Sequence, residues 1–181
     1  MQIKTERLLL RPFEEADAAD LYKYAKDPEV GPAAGWPPHG SVEESCNIIR
    51  LVLSGPESYA VCKKEDGRVI GAIALSLNGD SRLAEEEGAC ELGYWIGKPF
   101  WGQGLMTEAS EALLRRAFTE LGMRRVWCAY FEGNEKSKRV QEKLGFRHEK
   151  TLREVDVPLL NEVRNEHVSL LSREAWRLKN M

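Results

Sequence analysis

What the sequence lacks narrows its chemistry first. No apolar run approaches the roughly 20 residues needed to cross a bilayer, so no membrane-spanning segment is expected. The opening stretch MQIKTERLLLRPF places an arginine where a signal peptide needs its apolar centre, so no export signal is expected and the cytoplasm is the expected location. The four cysteines, Cys46, Cys62, Cys90 and Cys128, are widely spaced, form no CxxC pair and sit among apolar neighbours. They read as buried free thiols of a reducing compartment. His39, His148 and His167 make no ligand pattern with them, and no metal is expected. A net charge of −3 and the absence of a concentrated basic stretch argue against nucleic acid as the main partner. Internal repeats, linkers and low-complexity tracts are also missing, so residues 1–181 read as a single domain.

What is present reads as a mixture of strands and helices. Residues 7–13 (RLLLRPF) carry strand-like apolar content, and residues 14–27 read as a helix that stops before Pro28. Residues 29–40, EVGPAAGWPPHG, are too rich in Gly and Pro for a regular element and form a loop carrying Trp36. Ser41 followed by Glu44 resembles a capping box at the start of a helix reaching Gly55. Runs 59–65 and 68–77 flank Asp66-Gly67, the pair favoured by a two-residue hairpin turn. Residues 90–97 and 124–131 read as further strands. Between them lies a helix with Ala109, Ala112, Leu113, Ala117 and Leu121 on one face, stopped by Gly122. A short helix over 134–145 precedes two last strands. The order implies one mixed α/β layer on a twisted sheet.

The most informative stretch is KPFWGQGLMT, between the strand at 90–97 and the following helix. Gly102 and Gly104 remove side chains where the chain turns, so an outside group could approach the backbone. The helix aims its free N–H groups and the positive end of its dipole at that point, which suits an anion such as phosphate. The GxG alone is equally a tight strand-to-helix connection. A P-loop is excluded because GxxxxGK[ST] is absent, and a Rossmann fingerprint because Thr107 stands where its third glycine belongs. About thirty residues on, Asn134 and Ser137 lie one helical turn apart at a helix start, where either capping or ligand binding would use them.

Together, ELGYWIGKPFWGQGLMTEA and NEKSKRVQEKLGF resemble the GCN5-related N-acetyltransferase (GNAT) superfamily, in particular its RimJ/RimL branch, which acetylates protein N-termini and other amines. The opening TERLLLRPFEEADAADLYKYAKDPEV and the closing NEHVSLLSREAW are similar to that branch too, so the resemblance covers nearly the whole chain. It implies the GNAT fold: one mixed, largely antiparallel twisted sheet with a splayed central strand pair, flanked by about four helices. It implies acetyl-CoA as co-substrate, its pyrophosphate on the backbone of Trp101, Gly102, Gln103, Gly104, Leu105, Met106 and Thr107. Trp101 and Met106 depart from the family pattern at the first and last places, and a bulky Met106 would narrow the site. The pantetheine arm would bond Tyr94, Trp95 and Ile96 like an added strand and meet Asn134 and Ser137. Lys138 and Arg139 are candidate adenosine-phosphate contacts, with plain surface charge an equal account.

The implied reaction is direct attack of a primary amine on the thioester through a tetrahedral intermediate. A lysine-like amine is neutral in only about one molecule in 10³ at pH 7, so a base or a water relay is needed. Glu91, at the start of the strand, and His39 in the variable loop are the candidate bases. Ser137, with Tyr130 behind it, is the candidate donor to the departing sulfur. Trp36 and His39 are candidate walls for the acceptor, which could be a peptide N-terminus, a polyamine or a small amine. A catalytically inactive CoA-binding sensor or scaffold is the alternative reading. A homodimer is the default oligomer.

Overall fold

The Asp66-Gly67 pair does close a hairpin, although by a longer turn than two residues. In the computed structural model, which describes residues 1–77 and 81–180, β3 (Ser58–Lys63) and β4 (Val69–Leu77) pair antiparallel, with Tyr59 opposite Ile73 and Cys62 opposite Val69. The Lys63 amide bonds the Arg68 carbonyl, and the Gly67 amide turns back to the Lys63 carbonyl at 2.8 Å with φ 73°. Residues 64–67 are therefore a four-residue loop, which corrects the two-residue expectation. The cause is Asp66, whose carboxylate accepts the Arg68 amide and guanidinium and stabilises the wider turn.

The chain divides into two compact units, Met1–Ala74 with Tyr94–Ala109, and Leu75–Gly93 with Ser110–Met181. In the first, β1 (Ile3–Lys4) and β2 (Leu8–Arg11) lead into α1 (Ala18–Ala25) and α2 (Val42–Leu51). The helix expected from residue 14 begins instead as a short 3-10 turn, because Glu14 and Asp17 cap each other there. Buried Asp17 also takes a two-pronged ion pair from Arg11, both contacts at 2.7 Å. Ser41 caps α2 by accepting the Glu44 amide, but the Glu44 carboxylate reaches the Gly40 amide rather than that of Ser41, so only half of the capping box forms. Ala18, Leu21 and Ile49 form the helical core with Phe13, Cys46, Leu53 and Trp95 against them, and Ala60, Cys62 and Val69 a second cluster.

In the second unit β6 (Arg125–Phe131) pairs along its whole length with β8 (Glu162–Ser172), which carries β7 (Arg147–Val157) on its other side. α4 (Glu135–Leu144) ends on left-handed Gly145. A further helix, α5 (Arg173–Lys179), follows the last strand, and the sequence reading missed it; its signal was Ser172, which accepts the Ala175 amide as cap. β5 (Ala89–Ile96) and α3 (Leu105–Thr119) run through both units. Hydrogen-bond neighbours follow the order β1-β2-β3-β4-β5-β6-β8-β7, a mixed and mostly antiparallel sheet. β5 and β6 are parallel, and their ladder covers only Ala89–Arg125, Cys90–Val126 and Glu91–Trp127. Of the four free cysteines three are buried, whereas Cys46 is half-buried. Burial pushes the Cys62 thiol up to about 11, which keeps it protonated and inert at neutral pH.

Candidate active site

The glycine loop opens α3. Gly102 and Gly104 have φ 76° and 75°, the left-handed region that favours glycine. Both are exposed, and a Cβ on Gly102 would meet nothing within 4 Å, so the backbone here is bare to an approaching group. The first intrahelical bond runs from the Glu108 amide to the Gly104 carbonyl. By helix geometry the amides of Leu105, Met106 and Thr107 lie ahead of it and point out of the helix start. The residues present thus fit a pyrophosphate. Leu105 and Met106 are each 5% exposed, so Met106 turns its side chain into the core and does not narrow the loop from outside, contrary to the sequence expectation. The Trp101 indole N–H donates to the Ile96 carbonyl at 2.9 Å, tying the loop to the end of β5 and engaging one of the strand groups expected to serve the pantetheine arm.

What braces this loop was invisible in the sequence. Arg7 donates to the Gln103 carbonyl at 3.0 Å and, through Nε, to Glu108 at 2.7 Å. Glu108 also accepts the Arg7 amide and the Thr5 hydroxyl. Burial pushes the Glu108 carboxyl up, but these bonds outweigh it and hold the group below its ordinary range. Partners a hundred residues apart leave no local signal.

Trp95 and Trp36 meet edge to face at 5.4 Å, and Trp95 packs on the helical core of its unit. Trp36 also stacks on His39 at 5.2 Å. His39 is buried, and its Nδ1 shares a 2.8 Å hydrogen bond with the Ser45 hydroxyl. Burial pushes its imidazole down, against an upward pull from Glu44, so it is neutral at physiological pH.

In the second unit Asn134 caps α4 by accepting the Ser137 amide at 3.1 Å, and the Ser137 hydroxyl accepts Gln141 Nε2 at 3.4 Å. Lys138 makes an i,i+3 ion pair with Glu135 at 3.5 Å, and Arg139 is exposed. Tyr130 stacks on His167 at 5.0 Å and lines a pocket of about 400 Å³ with Lys138, Gln141, Phe146 and His148 among its walls. Burial raises the Tyr130 phenol, partly offset by Lys138 and reinforced by Glu135 and Glu142, so it stays protonated at neutral pH.

Glu91 sits opposite Trp127 in the short β5–β6 ladder. Its carboxylate accepts the Ser81 hydroxyl at 2.5 Å. Burial raises its pKa, the Ser81 bond and the Arg82 charge pull it back, and Glu166 adds to the rise. A carboxyl held above its ordinary range is a stronger base near neutral pH than a solvated glutamate. Ser81, Arg82 and Glu166 had no such signal in the sequence: residues 80–88 read only as a polar loop, of which Asp80 lies outside the described residues, and Glu166 only as the start of a last strand.

A bare glycine loop ahead of a long helix, on a mixed sheet with a short parallel ladder, is the arrangement expected of the acetyl-transferring enzymes that the sequence resembles. Residues 7–147 match the family described as Acetyltransferase (GNAT) domain, and the chain belongs to it. The N-acetyltransferase p20 of Bacillus licheniformis, itself uncharacterised, is 31% identical over 157 residues, 84% of this chain and 85% of its own. YdaF of Bacillus subtilis, provisionally named a ribosomal N-acetyltransferase, is 39% identical over 111 residues, 60% of this chain and 57% of its own. Among solved structures, a GNAT-family acetyltransferase from Bacillus anthracis superposes with a TM-score of 0.84 at 26% identity, covering 96% of this chain and 99% of that one. GNAT enzymes take the acetyl group from acetyl-CoA and pass it to an amine. Among the described residues no helix is long and apolar enough to cross a membrane.

Proposed function

We propose that this chain, with residues 1–181 acting as one catalytic domain, is a RimJ/RimL-type enzyme that acetylates the primary amine of a protein N-terminus or of a small molecule. The observation that carries the donor half is the pair of left-handed, solvent-facing glycines ahead of the free amides of a 15-residue helix. Trp101 to Thr107 hold the pyrophosphate through their backbone, Tyr94 to Ile96 take the pantetheine arm, and Asn134 is a further residue assigned to that arm. Lys138 and Arg139 reach the adenosine phosphate. The donor supplies an activated thioester, and the chain supplies proton transfer and position.

Glu91 takes the proton from the incoming ammonium, directly or through a water, and its raised basicity suits that step. Ser137 donates a hydrogen bond to the departing sulfur, with Tyr130 as the neighbouring hydroxyl that can return a proton. Trp36 and buried His39 shape the acceptor wall rather than titrate. The N-terminal acceptor is favoured over a polyamine by chemistry: an α-amine, with a pKa near 7.7, needs far less help from the base than a primary alkylamine near 10.4. The name carried by YdaF supports the same class. Free thiols suit an enzyme of the cytoplasm.

The test is calorimetric titration with acetyl-CoA and with dephospho-CoA, followed by thiol-release assays against peptides with free or blocked N-termini, polyamines and small amines. Micromolar acetyl-CoA binding that weakens without the 3′-phosphate, and turnover that needs the free peptide amine, is the expected result. Absence of acetyl-CoA binding would refute the donor site, and turnover confined to polyamines the acceptor class.

A further inference from the structure

Ser81 and Arg82 are consecutive residues that grip two carboxylates from different strands. Ser81 is 7% exposed, and its hydroxyl does double duty: it donates to Glu91 on β5 and accepts the amides of Leu83 (3.0 Å) and Ala84 (3.2 Å). Those amides fix the hydroxyl, so its single proton is committed to Glu91. The next residue, Arg82, turns its guanidinium to Glu166 on β8. The Glu166 side chain is only 8% exposed, whereas Arg82 is 53% exposed, so the loop supplies the cation from outside to a carboxylate already buried. The strand register puts both carboxylates on one face of the sheet. Glu91 is level with Trp127, Trp127 with Leu170, and Glu166 lies four residues from Leu170 on the same side of β8.

A buried carboxylate left without a cation is strongly disfavoured, so Glu166 holds Arg82 in place more firmly than an exposed ion pair would. Nothing in the proton-transfer reading uses Arg82 or Glu166, yet Glu166 shares the sheet face of Glu91, and Arg82 directly follows the serine that bonds it.

We propose that Ser81–Arg82 is a positioning clamp for Glu91: Ser81 fixes the direction of its carboxylate, and Arg82, anchored on Glu166, sets how readily that carboxylate takes a proton. The proposal rests on the reading of Glu91 as the base. Among the described residues, the charged groups that act on Glu91 are Arg82 from the loop and Glu166 from β8, of opposite sign, and Trp127 is its neighbour on β6. Removing the two charges one at a time therefore moves Glu91 in opposite directions. In Arg82→Met the carboxyl keeps its burial and the repulsion of Glu166 but loses its cation, so its titration moves to higher pH. In Glu166→Gln it keeps the cation and loses the repulsion, so its titration moves to lower pH. Neither replacement changes side-chain volume much, and glutamine can still accept from Arg82. Ser81→Ala leaves the charges alone and loosens the carboxylate.

The experiment is a carbon-13 NMR titration of the glutamate side-chain carboxyls in the wild type, Arg82→Met and Glu166→Gln, with Glu91→Gln used to assign the Glu91 resonance. It is run beside the pH dependence of kcat/KM for the same proteins. Opposite displacements of the Glu91 resonance, matched by the acid limb of kcat/KM, are expected, with Ser81→Ala lowering kcat about tenfold and moving the limb to higher pH, since the lost hydrogen bond also holds the carboxyl down. Displacements in the same direction, or none, overturn the clamp. Opposite NMR displacements with a stationary acid limb, or full activity in Glu91→Gln, would leave the clamp standing and remove Glu91 from the chemistry, which separates the two failures.

Discussion

Gly104 offers a substitution pair that isolates one charge. Its φ of 75° is poorly tolerated by most side chains, but asparagine and aspartate visit this region more readily than others. A Cβ there would find Arg7 Nη2 at 3.7 Å, an ordinary contact, so neither side chain is excluded by packing. Gly104→Asn and Gly104→Asp therefore share one shape and one backbone cost, of about 1 kcal/mol, and differ by a single negative charge. A carboxylate 4 Å from one phosphate charge costs about 4 kcal/mol at the effective dielectric of a protein surface. The loop is exposed, so water screens the pair further and leaves about 2 kcal/mol, or roughly a thirtyfold weaker Kd for aspartate than for asparagine. The assay is calorimetric titration of both variants with acetyl-CoA at two salt concentrations. The gap should narrow at higher salt, since the loop is exposed. Equal Kd values for the two variants would show that no phosphate approaches this loop, and the cradle would have to lie elsewhere.

Three further outcomes follow from the same geometry. Ser137→Ala should lower kcat about tenfold while the acetyl-CoA Kd stays within about twofold, because Asn134 caps the Ser137 amide, not its hydroxyl; an unchanged kcat in stopped thiol-release assays would exclude Ser137 from the chemistry. Glu91→Gln should abolish most turnover yet raise Tm near neutral pH. The folded chain holds the Glu91 proton to a higher pH than the unfolded chain does, so stability falls as pH rises between those two pKa values, and glutamine removes that loss. Melting curves from about pH 4 to about pH 8 test it, and a Tm gain that grows on acidification would contradict it. Gly71→Ala should cost about 1–3 kcal/mol, because a Cβ there meets the Trp95 carbonyl at 2.3 Å and the Ile96 Cα at 2.9 Å, backbone that cannot swing aside. Urea unfolding reads the change, and an unaltered midpoint would mean the strands separate freely at that point.

The sequence alone determined the elements whose causes are local. Gly145 stops α4 because only a left-handed residue closes that end, with φ 92°, and Ser41 and Asn134 cap helices through amides three residues away. The glycine pair before α3 was legible for the same reason: bare backbone at a helix start is a property of a few consecutive residues. The family resemblance also rested on contiguous stretches, 91–109 and 134–146. Tertiary structure decided what depends on distant partners. Asp66 widened the hairpin turn through Arg68, and α5 was hidden behind a strand signal that ran into Ser172. The Arg7–Glu108 brace joins residues 101 apart, and the Arg82–Glu166 pair residues 84 apart. Glu91 shows the division within one side chain. Its place at a strand start was readable, but its basicity is set by burial, by a serine and an arginine from a polar loop, and by a glutamate from the last strand, groups that meet only when the sheet has formed.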